Sequence, residues 1–472
     1  MPEVIKTKVA VIGAGPGGYS AAFTCADLGL DTLLIDPEKN PGGTCLYRGC
    51  IPTKTLLYIT HTIQNAKDAT NFGVYFSPPK LDINKVRNST QDVVNYLTEG
   101  LGKLSQLRGV KYIQGRASFL DSNTLEVFLN DGRELRVITE YSIVAVGSRP
   151  ALFGAPIDSP DIINSNKAVF LEEIPEKMLV IGGGYIGLEL GSVYALLGAE
   201  VTLVEVTPGI LPGIDRDLVK PLEDKISKIF SNIHTNTEVK QLKPRKKGIL
   251  VEMEGPNIKK KTQIFDKVLV CVGRKPNSSG LGLKNTKVES DDKGFIKVNE
   301  QRRTADPMIF AIGDVAGGPM LAHKATHEGR ISAEVIAGRN VAFEPQAIPA
   351  VVFTDPEIAW CGITEELAKV QKIPYEVAKF PWQASGRAKT LFRNEGLTKM
   401  IIHKETKQIL GIGIVGTNAG ELISEATLAI EMGATPEDLD LTIHPHPTLS
   451  ETIMECAGVY LRKSIHYYRK NN

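Results

Sequence analysis

Short, almost wholly apolar runs alternate along this chain with longer stretches of helical periodicity, and glycines punctuate the junctions. Val9-Ala10-Val11-Ile12 reads as a buried strand, because a strand covered on both faces needs no polar alternation. It enters Gly13-Ala14-Gly15-Pro16-Gly17-Gly18, and Tyr19 to Leu28 then has the spacing of a helix. A second strand, Asp31 to Ile35, ends at Asp36. The series recurs as Met178 to Ile181, Gly182-Gly183-Gly184-Tyr185-Ile186-Gly187, a helical stretch, and Glu200 to Val204 ending at Glu205. Two further apolar strands each end in a glycine and a basic, proline-terminated turn: Ser142 to Pro150 with Gly147, and Val268 to Pro276 with Gly273. They read as matching exits from two duplicated units. Met308 to Asp314 is again strand, glycine, acid, where the path is expected to return to the first unit; Asp314 also reads as a turn or helix cap. From Ile348 the pattern changes to alternating strands such as Pro349 to Phe353 and Thr398 to His403, with a helix over Ala419 to Met432. That mix predicts an α+β domain.

Both glycine series have the Gly-x-Gly-x-x-Gly form between strand and helix. The first glycine makes a tight turn, the second admits a pyrophosphate, and the third lets helix and strand pack closely. In the first copy these are Gly13, Gly15 and Gly18; in the second, Gly182, Gly184 and Gly187. An acid about 20 residues on, Asp36 or Glu205, is placed to bind a ribose hydroxyl. Two complete copies imply two dinucleotides. Glu205 is followed by Val206-Thr207-Pro208, with no basic residue nearby to hold a 2′-phosphate, which favours NAD over NADP. The expected fold is α/β: two Rossmann-like dinucleotide-binding domains and a C-terminal α+β domain.

At 472 residues the chain has room for about three domains. Its net charge of +1, with acids and bases interleaved, argues against a nucleic-acid surface or a polybasic membrane anchor. The most apolar stretch, Met178 to Ala199, carries three consecutive glycines and Glu189, so it does not read as a membrane span. The first strand follows Met1-Pro2 almost at once, leaving no room for a leader. Six scattered cysteines are too few for a secreted framework. A cytoplasmic protein is expected.

Cys45 and Cys50 stand in Gly42-Gly43-Thr44-Cys45-Leu46-Tyr47-Arg48-Gly49-Cys50-Ile51-Pro52-Thr53-Lys54. An ideal helix would hold their Cα atoms about 8–9 Å apart, beyond the roughly 7 Å that a disulfide spans. A bond between them therefore needs a bent backbone, which favours a reducible, working disulfide. The alternative is two small buried hydrophobes. Near the far end, His444-Pro445-His446-Pro447-Thr448-Leu449-Ser450-Glu451 holds its histidines stiffly, and a His446–Glu451 acid/base pair is one reading. A metal pair and a loop histidine are the others, the first lacking Cys or Asp ligands nearby.

Together these residues resemble the class I pyridine nucleotide–disulfide oxidoreductases, in particular the branch serving 2-oxo acid dehydrogenase and glycine cleavage complexes. The motifs from Gly42 to Lys54, Gly182 to Gly191, Gly313 to Asp314 and His444 to Glu451 carry the likeness through nearly the whole chain. The resemblance implies that Gly13, Gly15, Gly18 and Asp36 hold FAD. It places Lys54 beside the isoalloxazine, Asp314 on the ribityl chain, Met320, Ala322 and His323 at the pyrimidine end, and Gly147 in the cofactor set. Gly182, Gly184, Gly187 and Glu205 would hold NAD, Glu189 would pair with Lys54, and Gly273 would border the nicotinamide. Cys45 would exchange with substrate, Cys50 would pass electrons to the flavin, and His446 oriented by Glu451 would come from the partner subunit of a homodimer. The implied reaction reoxidises a dihydrolipoyl group carried by an acyltransferase or carrier protein and reduces NAD⁺, with no metal. The implied division is FAD-binding 1–150, NAD-binding 151–277, central 278–347 and dimerisation 348–472.

The chain departs from the family pattern in three places: Asp36 for a usual Glu, Val146 for a usual Thr, and Tyr47-Arg48 for a commoner Asn-Val. Other branches differ more. Glutathione-type reductases carry arginines after the second glycine series, and mercuric or large thioredoxin reductases carry a C-terminal cysteine pair, whereas this chain ends Tyr467-Tyr468-Arg469-Lys470-Asn471-Asn472. Another disulfide reductase, or a non-catalytic flavin-binding scaffold or redox sensor in a large complex, is the alternative function.

Overall fold

The structure, a computed structural model, describes residues 3–154 and 159–468. The first two residues and the last four, on which the readings of a leader and of the tail partly rest, lie outside them. β1 (Glu3–Ile12) leads through the glycine turn into α1 (Pro16–Asp27), and β2 (Thr32–Asp36) follows. The helix begins three residues before the predicted Tyr19, because proline is favoured in a first helical turn. β1 lies between β2 and the strand Glu134–Val144, parallel to both. Ile309–Ala311 joins the same sheet beside Glu134–Val144, so the late strand does return to the first unit. An antiparallel strand, Thr124–Leu129, links Lys111–Asp121 to Glu134–Val144.

The second unit repeats the plan in an all-parallel five-stranded sheet centred on Lys177–Ile181, with Glu200–Val204 and Lys267–Val270 on either side. Its central strand buries Met178, Leu179 and Val180 completely, as β1 buries Val9, Ala10 and Val11. Each of the valine, leucine and methionine side chains among them contributes about 1.5–3 kcal/mol for leaving water, which makes these strands the fixed frame from which the glycine turns project. The two exit turns meet: Ser148–Pro150 pairs antiparallel with Arg274–Pro276.

The C-terminal domain is a five-stranded antiparallel sheet backed by the helices Ala419–Glu431 and Glu451–Leu461. Trp382 fills its core, seated where Gly396 and Gly416 leave no room for a Cβ. Among the described residues, no helix is long and apolar enough to cross a membrane.

Candidate active site

The stretch carrying the cysteines is two helices rather than one. α2 (Gly43–Arg48) stops at Gly49, and α3 (Cys50–Asp68) starts afresh. Gly49 takes φ −138° and ψ −112°, and a Cβ there would stand 3.0 Å from the Thr44 carbonyl oxygen. The backbone break removes the separation an ideal helix would impose on Cys45 and Cys50. Both are thiols in this structure. The Cys45 S–H donates to the Cys50 sulfur, and this bond, aided by Lys54 and opposed by burial, lowers Cys50 to about 7. The same bond, with burial, pushes Cys45 far above the usual thiol range. One sulfur is poised to ionise and the other to stay protonated.

Both cysteines line a cavity of about 790 Å³ walled mainly by the first unit and closed by the second unit's Tyr185, Ile186 and Glu189. Gly13, Gly15, Asp36, Lys54 and Gly147 line it too, as do Glu189, Asp314, Met320 and Ala322. Lys54 lies one turn along α3 from Cys50, with its ammonium 2.7 Å from the Glu189 carboxylate. Glu189 is only 2% exposed, and its other oxygen accepts the Phe353 N–H at 2.9 Å. The Lys54 ammonium also sits 4.6 Å from the centre of the Phe353 ring. Three parts of the chain thus meet beneath the cysteines. On another wall, the Ser148 hydroxyl donates to Asp314 at 2.5 Å while Arg274 donates to the Ser148 hydroxyl and carbonyl at 2.7 and 2.8 Å. Arg274 was not singled out in the sequence; the signal for it was the matching basic turns, which meet here.

The glycine turns fit dinucleotides. Gly13 and Gly182 have φ of +97° and +108°, and a Cβ on either would meet a backbone oxygen at 2.5 or 2.4 Å. A Cβ on Gly18 or Gly187 would strike the carbonyl of its own turn, so these two serve packing. Gly15 and Gly184 are the exceptions: a Cβ would meet nothing closer than 4.0 Å at Gly15 and nothing within 4 Å at Gly184, which leaves room for a pyrophosphate. Asp36 accepts from the Ala14 and Glu38 N–H groups, and Glu205 from Gly183 N–H, Thr207 N–H and the Thr207 hydroxyl. Each carboxylate is thereby aimed across its glycine turn.

Other predicted residues lie outside the cavity. Gly18, the three second-copy glycines, Glu205 and Gly273 do not line it, and His323 turns its ring to the Pro349 carbonyl at 2.7 Å. His446 and Glu451 also lie apart from the cysteine cavity. The His446 Nδ1 is 2.8 Å from Glu451, whose second oxygen accepts the Thr448 N–H at 2.7 Å. Burial raises the Glu451 carboxyl, but that N–H and the imidazole outweigh it and hold the carboxyl below its usual range. The imidazole is 70% exposed. His444, by contrast, spends one ring nitrogen on the Thr442 carbonyl and the other on Glu425, so the two histidines do not converge as a metal pair.

Among the described residues, one group of carboxylates is close enough to hold a cation: Asp215, Asp217 and Glu365. The Lys399 ammonium occupies it, 2.8 Å from Asp215 and 3.0 Å from Asp217, and pairs with Glu365 as well. This hub ties the second nucleotide unit to the C-terminal domain.

A thiol pair on the wall of one dinucleotide cavity, with a second dinucleotide turn beside it, defines a nucleotide-linked dithiol–disulfide oxidoreductase. The chain matches the pyridine nucleotide-disulphide oxidoreductase family over residues 7–329 and that family's dimerisation domain over 348–457. It is 46% identical over 463 residues to a dihydrolipoyl dehydrogenase of Vibrio cholerae, covering 98% of this chain and 97% of the relative. Among solved structures it is similar to LpdA from Mycobacterium tuberculosis, with a TM-score of 0.89 and 26% identity over 96% of this chain and 99% of that one. The Cu(II) complex of the HOCl-induced flavoprotein disulfide reductase RclA from Escherichia coli gives 0.85 and 25% over 96% and 99%. The chain belongs to the pyridine nucleotide-disulphide oxidoreductase family. It is an oxidoreductase that uses FAD and NAD(H) and carries a dimerisation domain.

Proposed function

We propose that the protein oxidises dihydrolipoyl groups to lipoyl groups and reduces NAD⁺, serving 2-oxo acid dehydrogenase or glycine cleavage complexes. The observation that carries this reading is the Cys45–Cys50 pair, split by the Gly49 break on a dinucleotide cavity, with Cys50 lowered to about 7. Gly13, Gly15, Gly18, Asp36, Lys54, Gly147, Asp314, Met320, Ala322 and His323 form the FAD set. Gly182, Gly184, Gly187, Glu205 and Gly273 form the NAD set, with Glu189 joining it to Lys54.

His446 takes a proton from one substrate thiol, and Glu451 holds the imidazole in the orientation to do so. The thiolate attacks the Cys45 sulfur of the oxidised pair, the Cys45–Cys50 bond breaks, and Cys50 leaves as a thiolate. The second substrate thiol then attacks the first substrate sulfur and its proton passes to the departing Cys45 sulfur, closing the lipoyl disulfide, breaking the mixed disulfide and leaving Cys45 as a thiol. The substrate dithiol has lost two electrons and the cysteine pair has gained them. When bound, FAD supplies a carrier that takes that pair from a thiolate and delivers it to NAD⁺ as hydride. Lys54, paired to Glu189, keeps a positive charge beside Cys50 while its thiolate stands.

The exposed His446–Glu451 pair belongs to the site of a second copy in a homodimer, and the cysteines take theirs from that copy in return. The domains divide at 1–150, 151–277, 278–347 and 348–472, and the protein works in the cytoplasm. Rapid NADH formation from free dihydrolipoamide and NAD⁺, without oxidation of NADPH by glutathione disulfide, is the expected result. The reverse preference overturns the assignment.

A further inference from the structure

Tyr47 and Arg48 separate the two cysteines, depart from the commoner family pair, and have no part in the chemistry above. Their side chains reach the loop that follows Asp36. Arg48 pairs with the Glu38 carboxylate. The Tyr47 hydroxyl accepts the Asn40 N–H at 3.2 Å and donates to the Asn40 carbonyl at 3.0 Å. The loop is held from its other side as well: the Tyr112 hydroxyl donates to the Glu38 carbonyl at 2.9 Å, and Asn130 donates to the Pro37 carbonyl at 2.7 Å. Asp36, Pro37, Glu38 and Arg48 all line the dinucleotide cavity. The Glu38 N–H, moreover, is one of the two donors that aim the Asp36 carboxylate. Asp36 is the other departure nearby, one methylene shorter than the usual Glu. Both departures therefore act on one loop.

We propose that Tyr47 and Arg48 are flavin-retaining positioning residues, which clamp the 37–40 loop against the cavity and hold the short Asp36 arm where a ribose needs it. The proposal rests on the FAD assignment of this cavity. Two physical effects support it. A loop pinned from both sides loses its freedom before the ligand arrives, so binding does not have to order it. Arg48 also neutralises Glu38, which would otherwise set a second uncompensated carboxylate beside Asp36 in a cavity that takes up an anionic dinucleotide. That carboxylate's charge already adds to the burial that raises the Asp36 carboxyl, against the Ala14 and Glu38 N–H groups that lower it.

The test is the first-order rate at which purified holoenzyme releases flavin on dilution, followed by flavin fluorescence. Losing one charge-assisted bond predicts about tenfold faster release in Arg48→Val. Tyr47→Asn should be faster than wild type, and Arg48→Lys close to it. Arg48→Glu should release fastest, and combining it with Glu38→Arg should restore retention. Glu38→Gln removes the pair from the loop side, so the question stays answerable if an Arg48 variant fails to fold. The titration midpoint of the Cys50 thiol should not move in any of these. Unchanged release with a moved midpoint would mean that the pair tunes the cysteines instead. A charge swap that folds without regaining retention would also overturn the clamp. Wild-type protein that takes up no FAD would instead defeat the underlying assignment.

Discussion

The proposed site has two halves that are built in opposite ways. Cys45, half-buried, and Cys50, exposed to the cavity, lie on its wall, positioned by a helix break and by the half-buried Lys54–Glu189 pair, to which Phe353 adds its N–H. His446 and Glu451 stand on the surface of the C-terminal domain, with the imidazole largely open to solvent. Exposed apolar side chains flank them: Leu441 is 78% exposed and Ile443 95%. A thiol pair gains from enclosure, because hydrogen bonds and charges act more strongly on an ionising sulfur away from water. A base on an apolar, exposed rim gains only once a second surface covers it. On the proposed reading, folding completes the first half of the site and association completes the second.

The largest expected effect is on the enclosed half. Cys45→Ser removes the sulfur proposed to receive the substrate thiolate, so dihydrolipoamide oxidation should fall below detection while FAD remains bound. Cys50→Ser should stop turnover too, but should leave Cys45 open to alkylation. Full activity in either variant would remove the disulfide from the mechanism.

The next effect tests the association half. His446→Gln should lower kcat/KM by about 10²–10⁴, the usual worth of a positioned general base. The informative experiment mixes two inactive proteins, Cys45→Ser and His446→Gln, by co-refolding. Random pairing makes about half the dimers mixed, each with one native site and one doubly damaged site, so about one quarter of wild-type activity per site should return. No recovery in mixed dimers verified by mass spectrometry would place each histidine with its own cysteines.

How far this contrast could be foreseen depends on the range over which each signal acts. The glycine turns, Asp36, Glu205 and the cysteine pair are local, because strand, turn and acid lie within one short stretch, Val9 to Asp36 or Met178 to Glu205. Local geometry also required a bend somewhere between the cysteines if they bond, since one helix could not bring them together, but it did not place that bend at Gly49. The Lys54–Glu189 pair came from resemblance, because nothing local links residues in different nucleotide units. Lys399 is the counterexample. It is 1% exposed and neutralises carboxylates far away in the chain, yet in sequence it is one lysine in an ordinary strand, Leu397–His403. The Arg48–Glu38 pair was equally hidden, and for Arg274 only its basic turn was visible, because long charged side chains choose partners by tertiary position.

A smaller effect separates the two nucleotide units. Glu205 should accept from a ribose hydroxyl and repel a 2′-phosphate, worth about 1.5–3 kcal/mol for a charged hydrogen bond. NAD⁺ should therefore exceed NADP⁺ in kcat/KM by roughly 10–100-fold, and Glu205→Ala should narrow that ratio. A higher kcat/KM for NADP⁺ in the wild type would reassign the second turn.

The smallest effect is a shift along the pH axis, and it probes how enclosure tunes the cysteines. The Cys45 S–H bond is the main cause of the Cys50 lowering, burial opposes it, and Lys54 adds to it. Below pH 7 the reduced pair should be mostly dithiol; above it, Cys50 should be thiolate and Cys45 still protonated. The long-wavelength absorbance of the reduced holoenzyme should thus rise with pH, with a midpoint near 7. Cys45→Ala deletes the bonded S–H, so its midpoint should move up. Lys54→Met deletes the nearby cation and leaves the Glu189 carboxylate unopposed, so its midpoint should also move up. Lys54→Arg should stay near wild type, since it keeps the charge. His446→Gln is the control, because it changes the surface half without altering the bonds around Cys50 within its own chain. A midpoint that follows His446 and ignores Cys45 and Lys54 would mean that the thiolate is set by association, and the division between the two halves would fail.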